Sequence, residues 1–348
     1  MHQFDYSFLE NGLLPARLLN VSTSIATLKV MDTLRKKDFT SVFTELEKVA
    51  KVQSVKSSNA IEGIVTTDDR IVAIVNGKST PLNHNESEIA GYRDALNAIH
   101  SNYMNMDFTE QEIKKLHTTL FSYYFNEDAG EYKKKDNLIL EYDASGMRNV
   151  RFYPASAEET PMAMQQLALA YMDARNNANI NQLLLTPCVI LDFLCIHPFR
   201  DGNGRLSRLL TLLLLYKNGY DIGKYISFEE QINRNKASYY EALKLSSEHW
   251  ADNKNDYVPF IENFLMILYK CYLELDKRFA VVNSSKIYKQ SRVEATVLNS
   301  IVPISKSEIC AILPDVSPTT VEAVLGKMVR EDKIVKLGMS RNIKYYKK

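Results

Sequence analysis

The chain has 348 residues, 45% hydrophobic and 24% charged, ordinary values for a globular protein that can bury a core without staples. Its 43 basic and 42 acidic residues leave a net charge of +1, and 12 glycines with 10 prolines are too few for a collagen-like or low-complexity chain. Wholesale disorder, a fibre and a polybasic coat are thereby excluded, and at ~150 residues per domain the length predicts about two domains.

The start, Met1-His2-Gln3-Phe4-Asp5-Tyr6, lacks the basic residues and long apolar stretch of a secretory signal. Helical spacing of apolar residues then predicts helices over Phe43–Val55, Glu86–Ser101 and Glu110–Phe121, the last with Thr109 and Glu112 placed as a capping box. Asn137–Tyr142 and Asn149–Tyr153 read as two short strands around a turn at Asp143–Arg148, a hairpin in an otherwise helical chain. Further helices are predicted over Pro161–Ala174, Pro187–Ile196, Arg205–Lys217, Lys236–Ser246 and Val258–Phe279. Thr160-Pro161 and Thr186-Pro187 read as helix starts, and Gly219 as the stop of the helix from Arg205. The longest apolar run, Leu209 to Tyr216, is broken only by Thr211 and falls far short of the ~20 residues of a membrane span.

Val281–Ser285 reads as a linker. Beyond it, residues 285–348 carry 12 Lys and Arg against 6 Asp and Glu, a net of +6. Their predicted order is helix (Ser291–Ile301), helix (Lys306–Leu313), turn, helix (Thr319–Glu331), then a hairpin of Ile334–Leu337 and Ile343–Tyr346 around Gly338-Met339-Ser340. That is the order of a winged helix-turn-helix. The four cysteines, Cys188, Cys195, Cys271 and Cys310, form no CxxC pair or zinc-type cluster and read as free thiols. The default expectation is a cytoplasmic protein with no membrane attachment.

The chemistry is concentrated in His197-Pro198-Phe199-Arg200-Asp201-Gly202-Asn203-Gly204-Arg205-Leu206-Ser207-Arg208. An apolar helix ends before Pro198, a tight loop follows, and a leucine-rich helix begins near Arg205. The start of that helix offers unpaired N–H groups and a partial positive charge, and Gly202 and Gly204 let a ligand approach the backbone, so the site suits an anion. Arg205 and Arg208 share one face of the first turn, and two guanidinium groups on a buried helix need negative partners such as a polyphosphate. Asp201 beside the phosphates suits Mg²⁺, and His197 at the loop mouth can take a proton from a hydroxyl.

This stretch matches the signature HxFx(D/E)GNGRxxR at every defined position, so the chain resembles the Fic family, which is mostly helical and contains protein adenylyltransferases. The resemblance implies a mainly α fold: a Fic-type helical bundle with a β-hairpin flap, followed by the winged helix-turn-helix. It implies ATP as substrate with Mg²⁺, and a target protein whose Ser, Thr or Tyr hydroxyl receives AMP. It makes His197 the general base, Phe199 an anchor of the loop and Asp201 the metal ligand. Gly202, Asn203 and Gly204 become the phosphate cradle, with Arg205 at the β-phosphate and Arg208 at the γ-phosphate. Upstream, Ser58-Asn59-Ala60-Ile61-Glu62-Gly63 fits the family's inhibitory pattern (S/T)xxxE(G/N), in which Glu62 pairs with Arg208 where the γ-phosphate would sit. The hairpin residues Asn149, Val150, Arg151 and Phe152 resemble the flap that clamps the target by strand pairing, and Gly130-Glu131-Tyr132-Lys133 resembles its lead-in. Tyr239 and Tyr240 resemble the lining of the adenine pocket, with Ser247 where family members often have asparagine. Leu13-Leu14-Pro15 and Glu88-Ile89-Ala90-Gly91-Tyr92-Arg93 extend the likeness over about 280 residues. The expected organisation is an N-terminal helical region with the inhibitory helix (1–100), a Fic core (101–280) and the winged helix (285–348), in a homodimer. Two further readings stay open at this point: removal of AMP with Glu62 positioning water, and a DNA-binding regulator that uses residues 285–348 on DNA and the Fic fold as a sensor.

Overall fold

Two helices that are apolar on nearly every side set the centre of the fold. The computed structural model describes residues 2–142, 148–283, 289–298, 300, 303–338 and 343–348. In chain order the first half contains α1 (Phe8–Asn11), α2 (Ala16–Asp38), α3 (Thr40–Ile61), α4 (Asp68–Val75), α5 (His84–Asn102), α6 (Glu110–Leu120), β1 (Ile139–Tyr142) and β2 (Arg148–Phe152). Then follow α7 (Thr160–Asn176), α8 (Gln182–Ile196), α9 (Asn203–Lys217), α10 (Phe228–Arg234), α11 (Lys236–Ser247) and α12 (Val258–Asn283). Every residue of α8 from Leu183 onward is buried, and so is every residue of α9 from Arg205 to Tyr216. A helix buried all round must be surrounded, and α8 and α9 pack on each other with α5, α6, α7, α11 and α12 about them.

The cap chemistry explains several boundaries. Thr67, Asn83, Thr109 and Ser227 each accept a backbone N–H from the first turn of α4, α5, α6 and α10. At the end of α3, Gly63 takes φ +79°, Gly63 N–H bonds Ala60 O and Ile64 N–H bonds Asn59 O, a Schellman ending that only glycine adopts without strain. Three expectations are corrected. Thr186-Pro187 does not start α8: Asn181 caps it by accepting from Leu183 N–H, and Pro187 lies within the helix. Thr160 lies inside α7, where its hydroxyl donates to Ser156 O at 2.7 Å, although Pro161 does sit in the first turn. Val281–Asn283, read as linker, continues α12. The 23-residue α2 had no counterpart in the sequence reading; its buried residues are only Leu18, Ser22, Ile25 and Asp32, while Leu19, Val30 and Leu34 face outward, so no clean polar face marks it.

β1 and β2 form an antiparallel pair with a register irregularity between Ile139 and Leu140. The turn expected at Asp143–Arg148 lies outside the described residues up to position 147. The last part of the chain contains α13 (Lys289–Leu298), β3 (Ile304–Ser305), α14 (Lys306–Ile312), α15 (Pro318–Arg330), β4 (Ile334–Leu337) and β5 (Lys344–Lys347). Its antiparallel sheet has the order β3-β5-β4. Ser305 and Glu308 cap α14 reciprocally, and Ser317 caps α15 ahead of Pro318. This region rests on α3, where Ser41 Oγ donates to Ala311 O at 3.3 Å. Among the described residues no helix is long and apolar enough to cross a membrane.

Candidate active site

The loop between α8 and α9 is shaped by its own residues. His197 caps α8 in a left-handed conformation, φ 51° and ψ 60°, and Pro198 prevents the helix from continuing. Asn203 closes the loop on itself: its Oδ1 accepts from Phe199 N–H at 3.0 Å and its Nδ2 donates to Phe199 O at 2.8 Å. The side chain of Asn203 is therefore committed to the loop, leaving its backbone N–H for a ligand. Phe199 is fully buried and stacks on His117 with ring centroids 3.8 Å apart.

His117 was not singled out from the sequence, yet it braces the loop from α6. Its Nδ1 accepts from Gly130 N–H at 2.8 Å, which leaves Nε2–H to donate to Asp201 O at 3.0 Å. Lys133, read from the sequence only as part of the flap's lead-in, donates from Nζ to Ile196 O at 2.9 Å, immediately before His197, and to Asn137 Oδ1 at 2.9 Å. Burial pushes the Lys133 ammonium down to about 8. A local pattern could not reveal these roles, because each acts on a carbonyl more than sixty residues away.

His197 Nδ1 lies 3.3 Å from Leu194 O, so with a proton there its Nε2 is free to accept one. Burial, opposed by that carbonyl, pushes the imidazole down to about 4 and keeps it neutral at pH 7. Gly202, with φ +79°, caps α9 without a side-chain bond, which leaves the first N–H groups of α9 for an anion. A Cβ on Gly202 would press within 3.1 Å of the Phe121 ring, and Gly204 has no room for one because Glu62 Oε1 lies there.

Both arginines of α9 are buried and both have carboxylate partners. Arg208 donates from Nε to Ser58 Oγ at 2.8 Å, and from Nη2 to Ser58 O at 2.9 Å and to Glu62 Oε1 at 2.8 Å. Burial works against the Glu62 charge, but the Arg208 charge and hydrogen bond, with Arg205 and Lys236, hold its carboxyl below the usual range. Burial likewise opposes the Arg208 charge, and Glu62 together with Tyr92 and Tyr240 more than restores it. Arg205 Nη1 lies 2.5 Å from Glu88 Oε2, a partner on α5 that the sequence did not expose as one. Asp201 is largely exposed; its Oδ1 accepts from Gly202 N–H at 2.6 Å, and its Oδ2 lies 3.8 Å from Arg205 Nη2.

Glu62, His197, Asp201 to Arg205 and Arg208 line one cavity of about 230 Å³, and Tyr239, Tyr240 and Ser247 of α11 form another wall of it, while Ser58 does not line it. Tyr239 is buried and packs edge-on against Phe260, so it serves the core as well as the cavity. From the hairpin, Arg151 and Phe152 reach the cavity, with the Arg151 guanidinium 5.8 Å from the Tyr240 ring centre. Asn149 and Val150 are exposed and do not line it. Among the described residues no three His, Cys, Asp or Glu cluster as a metal cage. A divalent cation at Asp201 would share its coordination with ligand phosphates and water, as Mg²⁺ does, and the exposed carboxylate suits that use.

Residues 107–215 match the Fic/DOC family model. Protein adenylyltransferase Fic of Drosophila yakuba is 28% identical over 222 residues, which are 62% of this chain and 40% of that protein; its counterpart in Drosophila persimilis is 25% identical over 228 residues. The chain thus spans well under half the length of these relatives. A solved Fic family protein from Desulfovibrio desulfuricans superposes with a TM-score of 0.64 at 20% identity, covering 97% of both chains. A Fic domain-containing signalling protein from Bacteroides thetaiotaomicron superposes with 0.57 at 23% identity, covering 75% of this chain and 95% of that one.

Proposed function

We propose that this chain, whose residues 107–215 match the Fic/DOC family model, is a protein adenylyltransferase that moves AMP from ATP to a Ser, Thr or Tyr hydroxyl of a target protein, and that Glu62 holds it off. The observation that carries the reading is the clasp on Arg208: this buried guanidinium in the first turns of α9 is held by the Glu62 carboxylate and the Ser58 hydroxyl, which supports a reading in which they stand where a phosphate would bind.

In the released state the triphosphate lies along the first N–H groups of α9, and Arg208 is freed to meet its terminal phosphate. Mg²⁺, held by Asp201 and the phosphates, would neutralise charge on the leaving pyrophosphate. His197 Nε2 takes the target hydroxyl's proton as its oxygen attacks the α-phosphorus. One P–O bond forms, the bond to the β-phosphate bridge breaks, and the loop N–H groups stabilise the developing charge. β2 offers an edge for the target segment, with Arg151 and Phe152 turned to the cavity. Within this reading residues 1–100 supply the inhibitory helix, 101–280 the catalytic core, and 285–348 a winged helix appended to it.

The test is Glu62→Gly incubated with labelled ATP and a host lysate. Labelled target protein is expected well above the wild-type signal; equal signals from the two would refute the inhibitory role.

A further inference from the structure

Arg205 has two carboxylates within reach, and they differ. Glu88 is buried and 2.5 Å from Nη1; Asp201 is 72% exposed and 3.8 Å from Nη2. The Arg205 side chain is only 1% exposed, and its guanidinium lies over the Phe121 ring at 5.3 Å. The Glu88 contact is ionic and not aligned as a hydrogen bond, and Arg205 Nε has no acceptor among the described residues. A buried cation in this position leans on whichever carboxylate is nearest. The other oxygen of Glu88 lies 2.8 Å from His84 Nε2, which anchors the carboxylate from the exposed side.

We propose that Glu88 is a positioning residue that holds Arg205 off Asp201, and so keeps the Asp201 carboxylate free for the divalent cation that accompanies the nucleotide. This rests on the adenylyltransferase reading above. Without the Glu88 charge, Arg205 turns to its remaining carboxylate, and a cation must then compete with a guanidinium for Asp201. Because Asp201 is exposed, the competition is worth no more than a surface ion pair, which predicts about a three- to fivefold loss of metal-dependent affinity.

The experiment is calorimetric and needs no turnover. ATP is titrated into the full chain carrying Glu62→Gly, once with EDTA and once with Mg²⁺, and the ratio of the two dissociation constants is the metal gain. Adding Glu88→Gln is expected to cut that gain about three- to fivefold while the EDTA value changes less than about twofold. Glu88→Asp, which keeps the charge, is expected to restore it. Asp201→Asn is expected to abolish the gain, and Glu88→Gln on top of it to remove nothing more, since both act through one carboxylate. Glu88→Ala repeats the charge removal should the Gln variant fail to fold. An unchanged gain in the charge-removing variants, an equal loss in both arms, or no rescue by Asp overturns the proposal. Absence of ATP binding by the Glu62→Gly chain in either arm overturns the adenylyltransferase reading itself, and this proposal with it.

Discussion

Replacing Glu62 by glutamine separates two ways in which its side chain could silence the site. It pairs with Arg208, and it also fills the space over Gly204. Glutamine keeps the shape and an acceptor oxygen but removes the charge. A hydrogen bond to a charged donor contributes about 1.5–3 kcal/mol and a neutral acceptor roughly half of that, so Gln weakens the clasp by about 1 kcal/mol. Glycine removes the bond, the counter-charge and the bulk. Breaking a buried pair costs about 3–5 kcal/mol, and since the Glu62 side chain is 34% exposed the lower end applies. At about 1.4 kcal/mol per tenfold, transfer should rise about fivefold for Glu62→Gln and about a hundredfold for Glu62→Gly. The assay is the initial rate of label transfer from ATP at subsaturating nucleotide. A Gln variant as silent as wild type beside an active Gly variant would show that bulk, not charge, inhibits, and would refute the pairing argument.

Ser58→Ala removes one of the three bonds on Arg208 and leaves the other two, so its release should resemble Glu62→Gln, about tenfold at most; full activation comparable to Glu62→Gly would contradict that ordering. His197→Ala on the Glu62→Gly chain should abolish transfer and leave ATP affinity within about twofold, because the imidazole acts on the target hydroxyl; parallel loss of binding and transfer would assign His197 a different role. The pH profile has a defined sign. With His197 pushed down to about 4, the Glu62→Gly chain should keep its rate from pH 7 to pH 5 and lose it only as the imidazole protonates nearer pH 4. Glu62 has a depressed folded value, so the stabilisation from its pairing is present above the unfolded carboxylate range and is lost only as pH falls below it. Wild-type protein should therefore stay silent at pH 5, and activation there would break the argument. Asp192 of α8, which does not line the cavity, accepts from Tyr6, Trp250 and Tyr257 at 2.7–3.0 Å. Asp192→Ala strands three buried donors at about 1–3 kcal/mol each, so a thermal melt should fall by at least about 5 °C; a change under about 2 °C would show that water satisfies them.

The sequence by itself determined the local chemistry of this protein. The run from His197 to Arg208 states a helix end, a glycine turn and an anion-binding helix start, because those follow from backbone rules acting over a few residues. Helical spacing located α3, α5, α6, α9, α11 and α12, since a buried stripe is written into the chain. Local rules misread Pro187, which packing keeps inside α8, and passed over α2, whose outward face is partly apolar. Only the tertiary structure decided which charges meet. Arg208 and Glu62 are 146 positions apart, and the resemblance alone had joined them; Arg205 with Glu88 and His117 with Asp201 had no signal. A carboxylate or an imidazole has no period along the chain that names its partner. That partner is set by how α3, α5 and α6 pack around α9, where burying a charge without a counter-charge is too costly to persist.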